Sequence, residues 1–431
     1  MMLPAMAESG GPGAGPLAGL VVIDLTWVLA GPFTAMILRD LGARVIKVER
    51  PPYGDVARTT GPYLNDESCY FFSINRGKES ICLDLRSPEG RELFLRLVEK
   101  ADVLLENFTP GTMERLNLGF DSLSRRNPGL IYAATSGFGQ TGPERERPAL
   151  DIVVQGMGGI MSITGEPGGP PLRPGVSQAD ITAGLYTAIG VLAALHERQS
   201  SGRGQFIDVS MLDCQVALLE NAFVRYFVSG EVPQPLATRH PSATPFQALP
   251  TGDGWLVLAL NWGVENQWEL FCAAIDRVDL IDDPRFVTSH LRTVNHSQLE
   301  PLLVDALSKR PAVEWLRDFQ EIGLPCGPVN NIAQVAEHPQ VKAREMLVDV
   351  EHPAGFTLKL PNSPIKLSRT PAGIRGRSPA IGEHTDAVLG EMLSIGQEEL
   401  AALRLRGAIA GPLPSPVPLV LAAGEGDGPT V

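Results

Sequence analysis

The chain has 431 residues, 44% hydrophobic and 20% charged, with a formal net charge of −13. That length allows two or three domain-sized units with sizeable cores, while the acidic balance argues against a nucleic-acid surface, which needs clustered Lys and Arg. An anionic ligand would have to be drawn in by a local cationic pocket working against the global field. Five scattered cysteines, Cys69, Cys82, Cys214, Cys272 and Cys326, contain no CxxC pair. They predict free thiols in a reducing compartment, so the cytoplasm is the expected location. The seven histidines lack HxxxH or HExxH spacing, and no metal site is expected. No apolar run reads as a membrane span. Residues 1–16 carry no Lys or Arg and resemble neither a signal nor a transit peptide.

Taken in order, residues 1–16 are expected to be a disordered leader. Gly11-Pro-Gly13-Ala-Gly15 lies before the first strand, whereas a dinucleotide loop follows a strand and opens a helix, so it is not assigned that role. Gly19–Leu25 is an apolar run of the kind buried in parallel sheets. Gly31-Pro32 punctuates, and Phe33–Leu41 predicts a helix. Further strands are predicted at Arg44–Glu49, Ser80–Leu85, Ala101–Glu106 and Leu130–Ala134, with a helix opened by Ser87 as cap and Pro88 at its first position. This alternation predicts an α/β fold with a large, open, parallel Rossmann-like sheet. Ligands of such sheets sit at the carboxyl ends of the strands. The large domain is assigned to 17–230, mainly helical over 148–230. A linker at 231–250 leads to a smaller α+β domain at 251–335, with a strand at Gly254–Leu260 and helices near 264–275, 297–308 and 312–322. Residues 336–410 return to the large domain, and 411–431 are expected to be a disordered tail.

Two features carry chemistry. In Arg173-Pro-Gly-Val-Ser177-Gln-Ala-Asp180, the Pro and Gly set a turn, Ser177 is placed to cap the following helix, and Asp180 falls at its third position. A carboxylate there faces unpaired amides and the positive end of the helix dipole, so it is expected to stay ionised beside a set of open donors. The second feature is the recurrence of cations just past predicted strands: Lys47, Arg50, Arg58, Arg76, Lys78, Arg86 and Arg115. A basic rim on an acidic protein suggests a phosphorylated or CoA-type ligand. No serine nucleophile elbow or P-loop is present.

Ile23-Asp-Leu-Thr26, Ala30-Gly-Pro32, Asp40-Leu-Gly-Ala-Arg-Val-Ile-Lys-Val-Glu-Arg50, Asn75-Arg-Gly-Lys78, Glu106-Asn-Phe-Thr-Pro-Gly111, Gly137-Phe-Gly-Gln-Thr-Gly-Pro143, Gly202-Arg-Gly-Gln205 and Gly327-Pro-Val-Asn330 together resemble the class III CoA-transferases, in order, over Leu17 to Arg406. The resemblance implies that Asp180 is a nucleophile that attacks an acyl-CoA thioester to form an aspartyl anhydride, resolved through an aspartyl-CoA thioester or by the incoming carboxylate. Asp151 matches a second acidic residue facing it. Arg50 matches a CoA-phosphate contact, Leu85 and Arg86 line the CoA path, and Asn107, Phe108 and Arg115 match further CoA contacts. Leu29 and Ala30 match a loop at the thioester end, and Tyr70 an aromatic of the acyl pocket. CoA enters as a thioester substrate, with no permanently bound cofactor.

The family also contains α-methylacyl-CoA racemases, which need a second proton carrier, a His about thirty residues before the shared Asp. That position is Leu150, which argues against racemisation; transfer is the favoured reading, with a racemase and a non-catalytic acyl-CoA binder as the alternatives. The relatives acting on formyl-CoA and oxalate carry a Gln and a Trp near the oxalate. Leu29 and Thr60 stand there instead, which points away from oxalate. Arg58 and His240 are candidates to receive the far carboxylate of a longer diacid such as succinate, glutarate, malate or citramalate. The resemblance further implies a ring-shaped chain threaded by its partner in an interlocked homodimer.

Overall fold

Short apolar runs buried on both faces decide the architecture. In the computed structural model, which describes residues 15–260 and 266–414, the strands are β1 (Val21–Asp24), β2 (Arg44–Glu49), β3 (Glu79–Leu83), β4 (Val103–Glu106), β5 (Ile131–Ser136) and β6 (Phe206–Ser210). They form a parallel sheet in the order β3-β2-β1-β4-β5-β6, and Ile409–Ala410 adds an antiparallel edge beside β3. Neighbouring residues along each strand face opposite layers. Val22, Val45, Val103 and Ile131 pack with Ala35, Leu38 and Val191. Ile23, Ile46, Leu104 and Tyr132 pack with Phe94, Val388, Leu389 and Leu400 on the other face. The strands after β1 add on one side and those from β4 on the other, so the β1–β4 boundary is the switch point of a doubly wound sheet.

The expected α/β class is therefore observed as a mixed fold with a large, parallel-dominated sheet. Two strands of this sheet lie outside the predicted set. β6 sits in the stretch read as helical, although Phe206-Ile-Asp-Val alternates as a strand should. Ile409–Ala410 is too short to show a period.

The helices that matter for the site are α1 (Ala30–Asp40), α2 (Cys69–Ile74), α3 (Pro88–Val98), α4 (Asp151–Met157), α5 (Gln178–Ser201) and α6 (Met211–Leu218). The Ser87 hydroxyl caps α3 at the Gly90 amide, as its sequence predicts. α5 runs 24 residues until Gly202, at φ 71, ends it in a left-handed C-cap. By length and composition α5 is apolar enough to cross a bilayer, which the sequence reading passed over. It also packs on α1, α6 and β5, as the core helix of a globular unit does. Gly184 permits the α1 contact: a Cβ there would lie 2.8 Å from the Ala30 carbonyl oxygen, and Thr34 Oγ1 donates to the Gly184 carbonyl at 3.0 Å.

The chain divides into two compact units. Among the described residues, one combines residues 15–160 with Arg173–Val224 and 343–414; the other combines Met161–Leu172 with Arg225–Lys342. The smaller unit holds a three-stranded antiparallel sheet, Cys326–Pro328, Trp255–Ala259 and Phe246–Pro250. The last of these lies inside the stretch read as a linker. Helices Gln267–Ala274, His296–Leu307 and Ala312–Glu321 pack around Phe271, Phe286, Leu299, Trp315 and Phe319. The predicted start of the first helix, at 264, lies outside the described residues.

Candidate active site

Asp180 stands at the third position of α5, with Ser177 as the N-cap residue, as the turn residues predict. Its surroundings differ from the expectation. Ser177 makes no side-chain cap bond to the helix; its hydroxyl accepts from Arg173 Nη2 at 3.1 Å. The cap comes from Asp151, the first residue of α4. Asp151 Oδ1 accepts from the Ala179 amide at 3.0 Å and the Asp180 amide at 3.4 Å. The Gln178 amide donates to the Val176 carbonyl and the Ile181 amide to the Ser177 carbonyl. Every amide of the first turn is thus engaged, and the open donors expected there are taken.

Ionisation follows the same correction. Burial first, and the Asp151 carboxylate second, push Asp180 up to about 7, while Arg173 pulls it down. A shift of that size corresponds to roughly 4 kcal/mol. A helix N-terminus offers a carboxylate only about 0.3–1 kcal/mol at exposed positions, so burial and like charge outweigh the dipole. Tyr70, half-buried on α2, lies in the field of the same groups: burial, then Asp180, Asp55 and Asp151, raise its phenol to about 12.

The start of α1 is built in the opposite way. Asp24 Oδ1 accepts from the Thr26 amide and hydroxyl. Lys47 Nζ donates to the Thr26 carbonyl at 2.6 Å and pairs with Asp55 at 2.9 Å. The Asn107 side chain clamps Trp27 on both sides, its Oδ1 accepting from the Trp27 amide at 3.0 Å and its Nδ2 donating to the Trp27 carbonyl at 2.9 Å. Val28 is held at φ 65, with its amide donating to Asp55 Oδ1 at 3.1 Å. For a β-branched residue that is an outlier costing on the order of 1–3 kcal/mol. Beyond it, the amides of half-buried Leu29 and buried Ala30 have no hydrogen-bond partner among the described residues. They open α1 at the carboxyl end of β1, and the Ala30 carbonyl lies against Gly184, one turn past Asp180.

The seven cations sort into two groups, and not all follow a strand: Lys47 lies within β2, and Arg76 and Lys78 precede β3. Lys47 pairs with Asp55, Arg58 with Glu49, Arg76 with Asp40 and Lys78 with Asp24, all deeply buried. Arg50, Arg86 and Arg115 are exposed, just past β2, β3 and β4. Arg115 Nη2 donates to Thr112 Oγ1 at 2.8 Å. Arg58 departs from the role expected of it. Its guanidinium lies 3.6 Å from the Phe71 ring centroid and donates to Glu49 through Nε and Nη2 at 2.8 and 2.7 Å, with 3% of the side chain exposed. Little of it is left open to a substrate carboxylate. His240, the other candidate, belongs to the smaller unit, where its Nδ1 accepts from the Ser242 amide and its ring tilts on Phe246.

Leu85 and Phe108 are half-buried against the sheet core, and Phe108 meets Trp27 edge-on at 5.9 Å. Sequence reasoning missed Trp27, Asp55 and Arg173 as parts of these arrangements, although Arg173 lies in the very stretch that contains Asp180. It also missed Glu106 at the end of β4, whose carboxyl burial pushes up to about 8 and which accepts from the Phe108 amide at 2.7 Å. Among the described residues no cluster of His, Cys, Asp and Glu has metal-binding geometry.

CoA-transferase family III matches residues 17–385. The chain is 45% identical over 355 residues to acetyl-CoA:oxalate CoA-transferase of Acetobacter aceti, covering 82% of this chain and 90% of that one. It is 36% identical over 395 residues to human succinyl-CoA:glutarate CoA-transferase, covering 91% and 90%. A crystal structure of a CaiB/BaiF family protein from Brucella suis superposes with a TM-score of 0.78 at 40% identity, covering 88% of this chain and all of that one. Oxalate in the first of these names is the acid that Leu29 and Thr60 argued against. The chain belongs to CoA-transferase family III and is a CoA-transferase, moving CoA from an acyl-CoA donor to a carboxylic acid.

Proposed function

We propose that Asp180 is the nucleophile and that the transferred CoA passes through it. A carboxylate oxygen of Asp180 attacks the thioester carbonyl carbon; the C–S bond breaks and CoA leaves as thiolate with the electron pair, giving a mixed anhydride. The thiolate then attacks the Asp180 carbonyl carbon and releases the donor acid as carboxylate, leaving an aspartyl-CoA thioester. The acceptor carboxylate repeats the sequence in reverse and restores free Asp180. Thiolate is a good leaving group, so a weak nucleophile suffices. The observation that carries this reading is the position of Asp180: half-buried at the start of α5, one turn from an α1 N-terminus whose Leu29 and Ala30 amides are unpaired. Those two amides, rather than the occupied ones of α5, are the oxyanion donors we assign.

The CoA phosphates are assigned to the exposed Arg50, Arg86 and Arg115, where charge-assisted bonds to phosphate oxygens are geometrically natural. Leu85 and Phe108 line the path, and Asn107 contributes by holding Trp27 in place. Asp151 supports Asp180 through the α5 amides, and Tyr70 faces the acyl group. The acid is assigned to the dicarboxylates, a class to which the named substrates of the oxalate and glutarate relatives both belong. Leu150, 71% exposed and apolar, offers no proton carrier for racemisation. An interlocked homodimer is supported by the apolar side chains that α5 leaves exposed, Leu185 and Ile189 among them. The five free cysteines support a reducing compartment such as the cytoplasm.

The test is trapping. Wild-type protein mixed with succinyl-CoA and quenched with hydroxylamine or borohydride is expected to carry a modification at Asp180, mapped by peptide mass. Asp180→Ala is expected to lose turnover by a factor on the order of 10⁴ or more. An Asp180→Ala variant that still transfers CoA would reject the assignment.

A further inference from the structure

Arg173 reaches the start of α5 from the preceding loop. Its Nε and Nη2 donate to Asp151 Oδ2 at 3.3 and 3.0 Å, and Nη2 also to Ser177 Oγ at 3.1 Å. Gln155 Nε2 donates to the same Asp151 oxygen at 2.7 Å. Unlike the buried Arg58 and Arg76, this guanidinium reaches the surface. Its side chain is 35% exposed against 11% for Asp151, and among the described residues its Nη1 has no hydrogen-bond partner. The two N–H groups of Nη1 are therefore free to meet a carboxylate beside Asp180.

Charge balance calls for a cation at this point. Asp151 accepts from the Asp180 amide and its charge acts on the Asp180 carboxyl, both act on the Tyr70 phenol, and Arg173 is the positive charge that acts on Asp180. A diacid substrate brings a further carboxylate that does not react. Like charge at close range in a partly desolvated site opposes the binding of that carboxylate. A guanidinium already holding Asp151 can offset that repulsion while presenting its free edge to the newcomer.

Taking Asp180 as the nucleophile, we propose that Arg173 receives the non-reacting carboxylate of a dicarboxylic substrate and so selects diacids over monoacids. Donor and acceptor acids occupy the same place in turn, since each is joined to Asp180 as an anhydride. The single subsite therefore serves both halves of the reaction. It takes over the task expected of Arg58, which is spent on Glu49.

The experiment uses the full-length Arg173→Gln and Arg173→Lys variants. It reads the ratio of kcat/KM for succinyl-CoA over acetyl-CoA, and for glutarate over butyrate as acceptors. Arg173→Gln is expected to lower both ratios about tenfold or more, equivalent to about 1.4 kcal/mol of lost recognition. The loss should fall mainly in KM of the diacid partner, with Arg173→Lys restoring part of it. Ratios that stay at the wild-type value overturn the proposal, whether both substrates decline together because Arg173 only braces Asp151 or neither changes. If Arg173→Gln fails to fold, as judged by its melting transition, Arg173→Lys alone decides: a smaller drop in both ratios supports the proposal and unchanged ratios overturn it. Failure of the nucleophile assignment is distinguishable, because wild-type protein would then show no adduct at Asp180 with either thioester.

Discussion

Two helices begin at the carboxyl edge of the sheet, and their N-termini are finished in opposite ways. α5 is fully capped: Asp151 takes the Ala179 and Asp180 amides, and backbone carbonyls take those of Gln178 and Ile181. α1 is left open: its N-cap residue, Leu29, makes no side-chain cap bond, and the strained Val28 before it is held by Asp55 and by Asn107 acting on Trp27. A helix N-terminus is thus not automatically an anion site. It becomes one only where the fold withholds the carboxylates that would otherwise fill it. In the proposed mechanism one helix supplies the reactive carboxylate and the other supplies the open amides.

The contrast can be tested from either end. The largest effect is expected at Asp180 itself, whose ionised form is disfavoured by burial and by Asp151. A carboxyl group near 7 in the folded chain, against an ordinary value of 3.8, binds its proton more tightly folded than unfolded. Stability therefore falls as pH rises from about 4 to about 7 and then levels off. Asp180→Asn removes this dependence, so the variant should be more stable than wild type by roughly 2–4 kcal/mol at pH 8. Urea titrations at pH 4 and pH 8 measure it, and an equal difference at both would contradict the sign.

A smaller effect is expected from making α5 resemble α1. Asp151→Ala strips the cap from two amides and leaves Arg173 and Gln155 without their shared acceptor. The expected cost is about 2 kcal/mol in unfolding free energy. Asp151→Asn keeps an acceptor oxygen but loses the charge, so the acidic limb of kcat/KM, which the proposed mechanism assigns to Asp180, should move to lower pH. A limb that stays in place would mean that Asp151 does not act on Asp180 through its charge.

The smallest change is expected when α1 is loosened. Asn107→Ala frees the Trp27 amide and carbonyl, and with them the strain at Val28. Activity should fall about tenfold with stability reduced by only about 1 kcal/mol. Stopped-flow rates and thermal melts separate the two. An activity loss no larger than the stability loss explains would place Asn107 in the scaffold alone.

Much of this was legible beforehand. The apolar runs of β1 to β5, the Ser87 cap, the turn before α5 and the third-position placement of Asp180 all depend on neighbours within a few residues, and local pattern reports them faithfully. The cations are the instructive failure. Lys78 and Arg50 looked alike in sequence, each following or preceding a strand by a residue or two. Lys78 is buried against Asp24, 54 positions away, whereas Arg50 is exposed. Arg58 seemed free for substrate until Glu49 and Phe71 enclosed it.

The amino-acid sequence by itself determined the alternation of strands and helices, the residue types available at the strand ends, and the resemblance that names the chemistry. Only the tertiary structure decided which charges are spent on one another, that Asp151 rather than Ser177 caps α5, and that Arg173 keeps a free edge beside Asp180. The physical reason is range. Periodicity and turn chemistry act through adjacent backbone, but ion pairing, burial and the pKa shifts that follow depend on distances between residues far apart in the chain. Those distances are set only when the sheet is assembled and its helices close over it.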